Sequence, residues 1–275
     1  MKTELYKITT LSNLHVGSGE INFNIIDNQV QKSPEGLPII NSSSLKGAFR
    51  EHFAEEKGDE SKMVTYIFGP PNTSNDSHIT GAYSFFEATL LTRPARSNVK
   101  FFFNATSPAV LKRFLNNIEM FDISFDDEVK SALQTLSDLK PEANKPMIFE
   151  DIKDVRVEDL HAAYNACDVS VLSTFLGEDL VLLSDADYMA LELPILARNY
   201  LEEGVSKNLW YEEVVPKQST FYFMIAKPDN LDTQDKAEKI ERFENMFTQL
   251  GSRIQFGANK SIGYGYSLVQ KVSHE

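Results

Sequence analysis

The sequence predicts an α+β fold: a ferredoxin-like, or RRM-like, core with long insertions, one of them a β-hairpin. Three observations predict it. Periodic segments follow the order strand, helix, strand, strand, helix, strand. No linker rich in Pro, Gly or Ser and no internal repeat divides the 275 residues, so a single domain over 1–275 is expected. Two stretches interrupt the core order as insertions, an acidic and partly helical one at about 119–183 and a candidate hairpin at 194–217.

Residues 3–11 alternate as a strand with Leu5 and Ile8 in the core. Gly17 and Gly19 break it, and 21–30 reads as irregular extended chain. Residues 43–57 form a helix: Ser43 or Ser44 can cap it, and Leu45, Phe49 and Phe53 recur at helical spacing. A polar loop spans 69–81. Strands are expected at 82–91 and 99–105, then a helix at 108–118 opened by a Ser107 cap and Pro108 in the first turn. Helices are expected near 127–138 and 157–166, and a short one at 185–191. Pro194 to Val214 reads as a hairpin around a Glu202-Glu203-Gly204 turn, and 219–226 as a strand. The clearest helix is 232–250, with Ile240, Phe243, Met246, Phe247 and Leu250 along one stripe. Strands near 252–256 and 264–271 follow, joined by a loop from Gly257 to Gly265.

Composition narrows the class. Hydrophobic residues at 42% and charged residues at 24% are ordinary for a soluble globular protein. No apolar run approaches the ~20 residues of a membrane span. Met1-Lys2-Thr3-Glu4 runs directly into a strand without a signal peptide. Cys167 is the single cysteine, which excludes an intrachain disulfide and points to a cytoplasmic setting without membrane partners. The net charge of −13 argues against a nucleic-acid partner until its distribution is considered. Residues 116–187 hold 17 acids against five bases, whereas 88–118 hold five bases and no acid. The acidic stretch is a solvated face, a fence that keeps a polyanion on the basic face, or a contact for a basic neighbour.

The motifs that carry chemistry lie near both ends. His15-Val16-Gly17-Ser18-Gly19 is a glycine-rich turn that exposes backbone. Ser42 to Gly47 opens a helix whose free N–H groups, with Ser43 and Ser44, suit an anion, and Lys46 and Arg50 share one face four residues apart. Gly257, Gly263 and Gly265 surround Lys260 in the last loop. Two backbone-exposing loops and a cation-bearing helix start suit a polyanion with repeating phosphates. Neither glycine cluster is a P-loop or a dinucleotide fingerprint. There is no HExxH, cysteine pair, calcium loop or GxSxG elbow, so any metal is weakly held and shared with the ligand.

These residues resemble a family. In order they are Leu14 to Gly19; Ile26-Asp27-Asn28; Gly36 to Ile40 leading into Ser43 to Arg50; Arg93-Pro94-Ala95-Arg96-Ser97; Thr106-Ser107-Pro108; Leu209-Trp210-Tyr211-Glu212-Glu213; and Gly257 to Gly265. Together they resemble the backbone subunit of type III-B CRISPR effectors, the fourth subunit of the Cmr complex, within the RAMP superfamily. Asn41-Ser42 stands where the family often has Pro-Gly, and Ala258-Asn259 where a second glycine is common. The resemblance implies a subunit that stacks with copies of itself along a guide CRISPR RNA, beside other Cmr subunits, and holds the guide for pairing with a target RNA. The hairpin becomes a thumb that displaces one nucleotide per copy, and an aspartate after the first glycine turn, here Asp27, cuts the target.

The residue chemistry is compatible. Cleavage needs a 2′-oxygen in line with the leaving 5′-oxygen, removal of its proton, and charge stabilisation on the phosphate. An aspartate normally titrates near ~3.9, which makes Asp27 a better ligand for a divalent metal, Mg²⁺ for preference, than a base. Its plain reading is a turn residue. His15 acts as acid or base, or simply packs. Glu213, at the hairpin foot, positions the metal or ends a strand. Arg50 and Arg96 contact guide RNA or form surface salt bridges. A structural RNA-binding filament subunit without catalysis, and a guide-processing ribonuclease using His15, stay open as alternatives.

Overall fold

A computed structural model describes residues 1–19, 26–57, 62–70, 80–228, 243 and 252–272. In chain order these form β1 (Lys2–Thr10), β2 (Ile39–Ile40), α1 (Ser42–Lys57), α2 (Lys62–Phe68), β3 (Ser84–Phe85), β4 (Ala88–Ala95), β5 (Phe103–Thr106), α3 (Pro108–Met120) and α4 (Asp127–Asp138). The chain continues through β6 (Met147–Ile148), β7 (Arg156–Val157), β8 (Leu160–His161), β9 (Ala163–Tyr164), α5 (Ser173–Leu176), β10 (Leu180–Leu182) and α6 (Asp185–Ala190). It closes with β11 (Ile195–Glu202), β12 (Val205–Glu213), β13 (Thr220–Lys227), β14 (Ser252–Gln255) and β15 (Tyr266–Lys271).

Strands β15, β1, β13 and β4 lie side by side, each antiparallel to the next. This is the ferredoxin order of fourth, first, third and second strand, with α1 between the first and second in the chain. β1 is central and buried on both faces. Tyr6 and Ile8 pair with Phe223 and Phe221 on one face, while Leu5 pairs with Met224 on the other. Helix α1 covers the Tyr6 face through Phe49, which meets the rings of Phe85, Phe223 and Phe256. Helices α3 and α5 cover the opposite face, where Phe114 packs on Tyr222 and Phe175. Burial of Phe49 at 1% exposure is worth about 2–3 kcal/mol, and truncation to Ala would cost more because a cavity remains.

The second and third core strands are far apart in sequence, and what lies between them enlarges the sheet. β5 pairs with β4, and β10, β6 and β9 continue outward. The acidic stretch therefore contributes edge strands as well as α4, whose Asp126 cap accepts from the N–H groups of Glu128 and Val129. β11 and β12 form a separate two-stranded sheet with mostly exposed residues. Their turn places Glu203 and Gly204 at positive φ, as a tight two-residue hairpin requires.

Several expectations are corrected. Residues 157–166 are not a helix: β7 and β8 form a hairpin there, turned by Glu158 and Asp159 at φ 46° and 66°. α2 was not anticipated, and it buries Met63, Val64, Ile67 and Phe68. α1 begins at Ser42, so Ser43 and Ser44 sit inside its first turn rather than capping it. Ser107 makes no side-chain cap bond, and Asp185 accepts from the Ala109 N–H instead. Of the 69–81 loop, 71–79 lie outside the described residues, as do 20–25 of the 21–30 segment. The 232–250 helix lies outside them too, except Phe243, which is helical and packs on Phe53, Phe68 and Tyr83.

Candidate nucleic-acid interface

The two glycine turns meet directly. The His15 carbonyl accepts a 2.9 Å hydrogen bond from the Ala258 N–H, and the Asn13 carbonyl one of 2.8 Å from the Gly265 N–H. Gly257 (φ 74°) makes the approach possible, because a Cβ there would overlap the His15 carbonyl oxygen. Gly265 (φ 76°) is confined in the same way by the Phe256 carbonyl. Gly17 bridges to Val30, and Gly19 and Gly263 face open space.

Gln31 links this pair to the start of α1. Its N–H donates to the Val16 carbonyl, its own carbonyl accepts from Ile39, and its side-chain oxygen accepts from the Asn41 N–H. The first turn of α1, carrying Ser43, Ser44 and Lys46, is thereby joined to the glycine turns. Ser43 and Gly47 are exposed, and Lys46 is half-buried with no hydrogen bond or ion pair among the described residues. Lys260 reaches back to the same helix and pairs with Glu51 and Glu55 at 3.1 and 3.2 Å. Those two glutamates raise its pKa.

The remaining predicted cations point elsewhere. Arg50 donates to the Gly69 carbonyl at 2.9 Å, beyond the end of α2. Arg96 makes no hydrogen bond or ion pair with either glycine turn among the described residues. It is exposed just after β4 and pairs with Glu158 at 2.8 Å and Asp159 at 3.5 Å. With Phe101, Leu193, Pro194 and Lys217 it lines a cleft of about 800 Å³ beside the root of the β11–β12 hairpin.

Asp27 is exposed and bound to that hairpin. Its Oδ2 accepts a 2.7 Å hydrogen bond from the Tyr211 N–H, while the Asn28 N–H donates to the Tyr211 carbonyl. Residues 27–28 thus run along the outer edge of β12. Oδ1 has no hydrogen-bond partner among the described residues.

His15 and Glu213 are buried at 5% and 4% exposure. His15 Nδ1 lies 2.7 Å from the Glu213 carbonyl. A carbonyl only accepts, so Nδ1 carries a proton. The Glu213 carboxylate binds Lys32 at 2.7 Å and the Val30 N–H at 3.2 Å. These partners hold it within the protein rather than on the surface beside Asp27. Glu212, on the other face of β12, is 4% exposed and lies between Arg198, Asn259 and His15. Sequence reasoning assigned no role to Lys32, Arg198, Glu212 or Asn259, although Glu212 and Asn259 fall within the family motifs. The adjacent pair Glu212-Glu213 at a strand foot was the available signal.

The protein offers a divalent ion very little. No group of three or more His, Cys, Asp or Glu side chains able to hold a metal occurs among the described residues. One open carboxylate oxygen fits an ion shared with phosphate and water, not an enclosed centre. No helix among the described residues is long and apolar enough to cross a membrane.

Comparison with known proteins agrees with this architecture. A curated relative, the CRISPR system Cmr endoribonuclease Cmr4 of Pyrococcus furiosus, is 29% identical over 284 residues, covering 97% of this chain and 94% of the relative. The CRISPR system CMR subunit Cmr4 of Saccharolobus solfataricus is 21% identical, covering 91% of this chain and 92% of the relative. A chain of the type III-B Cmr-beta complex bound to cognate target RNA superposes with a TM-score of 0.78 at 22% identity, over 99% of this chain and 98% of that one. Oligomeric Cmr4 from Pyrococcus furiosus superposes at 0.70 and 20% identity, over 100% and 99%. The model of the RAMP superfamily matches residues 7–268, and the chain belongs to that superfamily.

Proposed function

We propose that the protein is the guide-RNA-binding backbone subunit of a type III-B CRISPR ribonucleoprotein and cleaves paired target RNA with Asp27. One observation carries the reading: both glycine turns, the 28–31 segment and the start of α1 interlock on one side of the molecule, with Asp27 hydrogen-bonded to the adjoining hairpin. Backbone N–H groups and Lys46 would bind guide phosphates, which requires no base readout and so tolerates any guide sequence. Copies of the chain would repeat this grip along the guide, beside other Cmr subunits.

The hairpin would enter the heteroduplex and displace a nucleotide, freeing the flanking linkage to reach in-line geometry. Asp27, whose carboxylate is held by the Tyr211 N–H, would present its open oxygen at that place. A magnesium ion bound by Asp27 and RNA phosphate oxygens would offset charge building on the phosphate. His15 supports the two turns and the Glu213 carbonyl, a buried role that disfavours the guide-processing alternative.

The test is an Asp27→Ala variant reconstituted with guide and partner subunits. Target binding with cutting abolished supports the reading. Undiminished cutting overturns it, and leaves a filament subunit whose aspartate is inert.

A further inference from the structure

Resting on that reading, we propose that Glu212 is a positioning residue: it fixes the angle of the β11–β12 hairpin against the RNA grip and thereby sets which target linkage is cut. Its buried carboxylate gathers groups from three separate parts of the chain. From β11, Arg198 Nε and a terminal guanidinium nitrogen each lie 3.0 Å from Oε2. From the last loop, Asn259 Nδ2 donates to Oε1 at 2.8 Å. From the first glycine turn, His15 Nε2 lies 4.0 Å from Oε1. Arg198 also covers the Tyr264 ring at 4.7 Å, a second tie between the hairpin and the last loop.

A buried carboxylate with fixed partners admits one geometry, since any tilt of the hairpin leaves charge unpaired. Among the described residues the hairpin belongs to no larger sheet, so its foot determines where it points. Residue 211, next to Glu212, carries the N–H that holds the Asp27 carboxylate. Glu212 touches neither RNA nor metal in this account. It acts through the hairpin, and a small misplacement of a reacting group can cost about 100-fold in rate.

The experiment compares wild type with Glu212→Gln, which keeps the shape and removes the charge, in the reconstituted complex. Target affinity, cutting rate and the positions of the cuts are read separately. Glu212→Gln is expected to bind target within about twofold of wild type, to cut roughly 10- to 100-fold more slowly at the normal linkage, and to spread cuts over neighbouring linkages. Arg198→Gln reproduces this pattern from the other side of the contact and serves if Glu212→Gln fails to fold. Wild-type cut positions in a folded variant overturn the proposal, whatever its rate. Asp27→Ala, run in parallel, abolishes cutting without moving it. If Asp27→Ala still cuts, the catalytic reading fails while the cut positions of Glu212→Gln still judge the positioning role.

Discussion

The Asp27 carboxylate accepts its hydrogen bond from the main chain of Tyr211, at 2.7 Å, rather than from a side chain. The hairpin therefore orients Asp27 whatever side chain stands at 211. Both main-chain groups of Tyr211 face the 27–28 segment, its carbonyl accepting from Asn28.

Tyr211→Pro removes that one N–H at an outer strand edge, where proline is tolerated. We expect cutting to fall about 10-fold with target binding retained, as when one positioned hydrogen bond is lost. Tyr211→Ala keeps the N–H and should cut near the wild-type rate. Equal rates for the two variants would show that the contact does not orient Asp27.

Lys46 has no acidic partner among the described residues, unlike Lys260. Lys46→Ala should weaken guide binding and lower the slope of log K against log salt by about 0.7, the value for one contact to a single strand. Filter binding at several salt concentrations measures it. An unchanged slope would remove Lys46 from the phosphate path.

Lys260 is held between Glu51 and Glu55, all three exposed. Exposed pairs of this kind contribute little to stability, but they reduce the field a polyanion meets. Glu51→Gln with Glu55→Gln should tighten RNA binding about 10-fold at low salt, with the gain fading near 1 M as screening sets in. Tighter binding unaffected by salt would contradict the electrostatic cause.

Glu4 is buried between Lys227 and Lys271 at 2.7 and 2.9 Å, with the Tyr6 hydroxyl also donating to it. Burial alone would raise its pKa, but the two lysines outweigh burial and hold it below the ordinary 4.5. A lowered native pKa stabilises the folded state above pH 4.5, and that contribution disappears as pH falls through the native value. Glu4→Gln leaves two lysines poorly compensated and should cost about 3 kcal/mol at pH 7. Melting curves between pH 7 and 3 should show the gap between the two proteins closing toward acid.

Legibility in the sequence followed the strength of local signals. β1 stood out through alternation, α3 through its Ser107-Pro108 start, and the hairpin through Glu202-Glu203-Gly204 between two extended runs, whereas the 119–183 stretch that holds α4 was the least legible. The β7–β8 turn was hidden because Glu158 and Asp159 adopt positive φ without a glycine to mark it. α2 has seven residues, too few to show a period. The glycine turns and Lys46 were visible as a motif, and they do meet, through Ala258, Gly265 and Gln31. The support beneath them was not visible. Glu212 and Glu213 are neighbours on a strand and point to opposite faces, yet both are buried, because the hairpin foot is covered on each side. An adjacent pair of acids gives no sign of that.

The docking of Gly257 beside the His15 carbonyl has a consequence for synthesis. The two halves of the grip stand some 240 positions apart in the chain, so the ribosome finishes one long before the other exists. Such distant closure is slow to form and comes late. A polypeptide that stalls before Gly257 lacks the loop that packs against the His15 carbonyl, so its first glycine turn is left without that support.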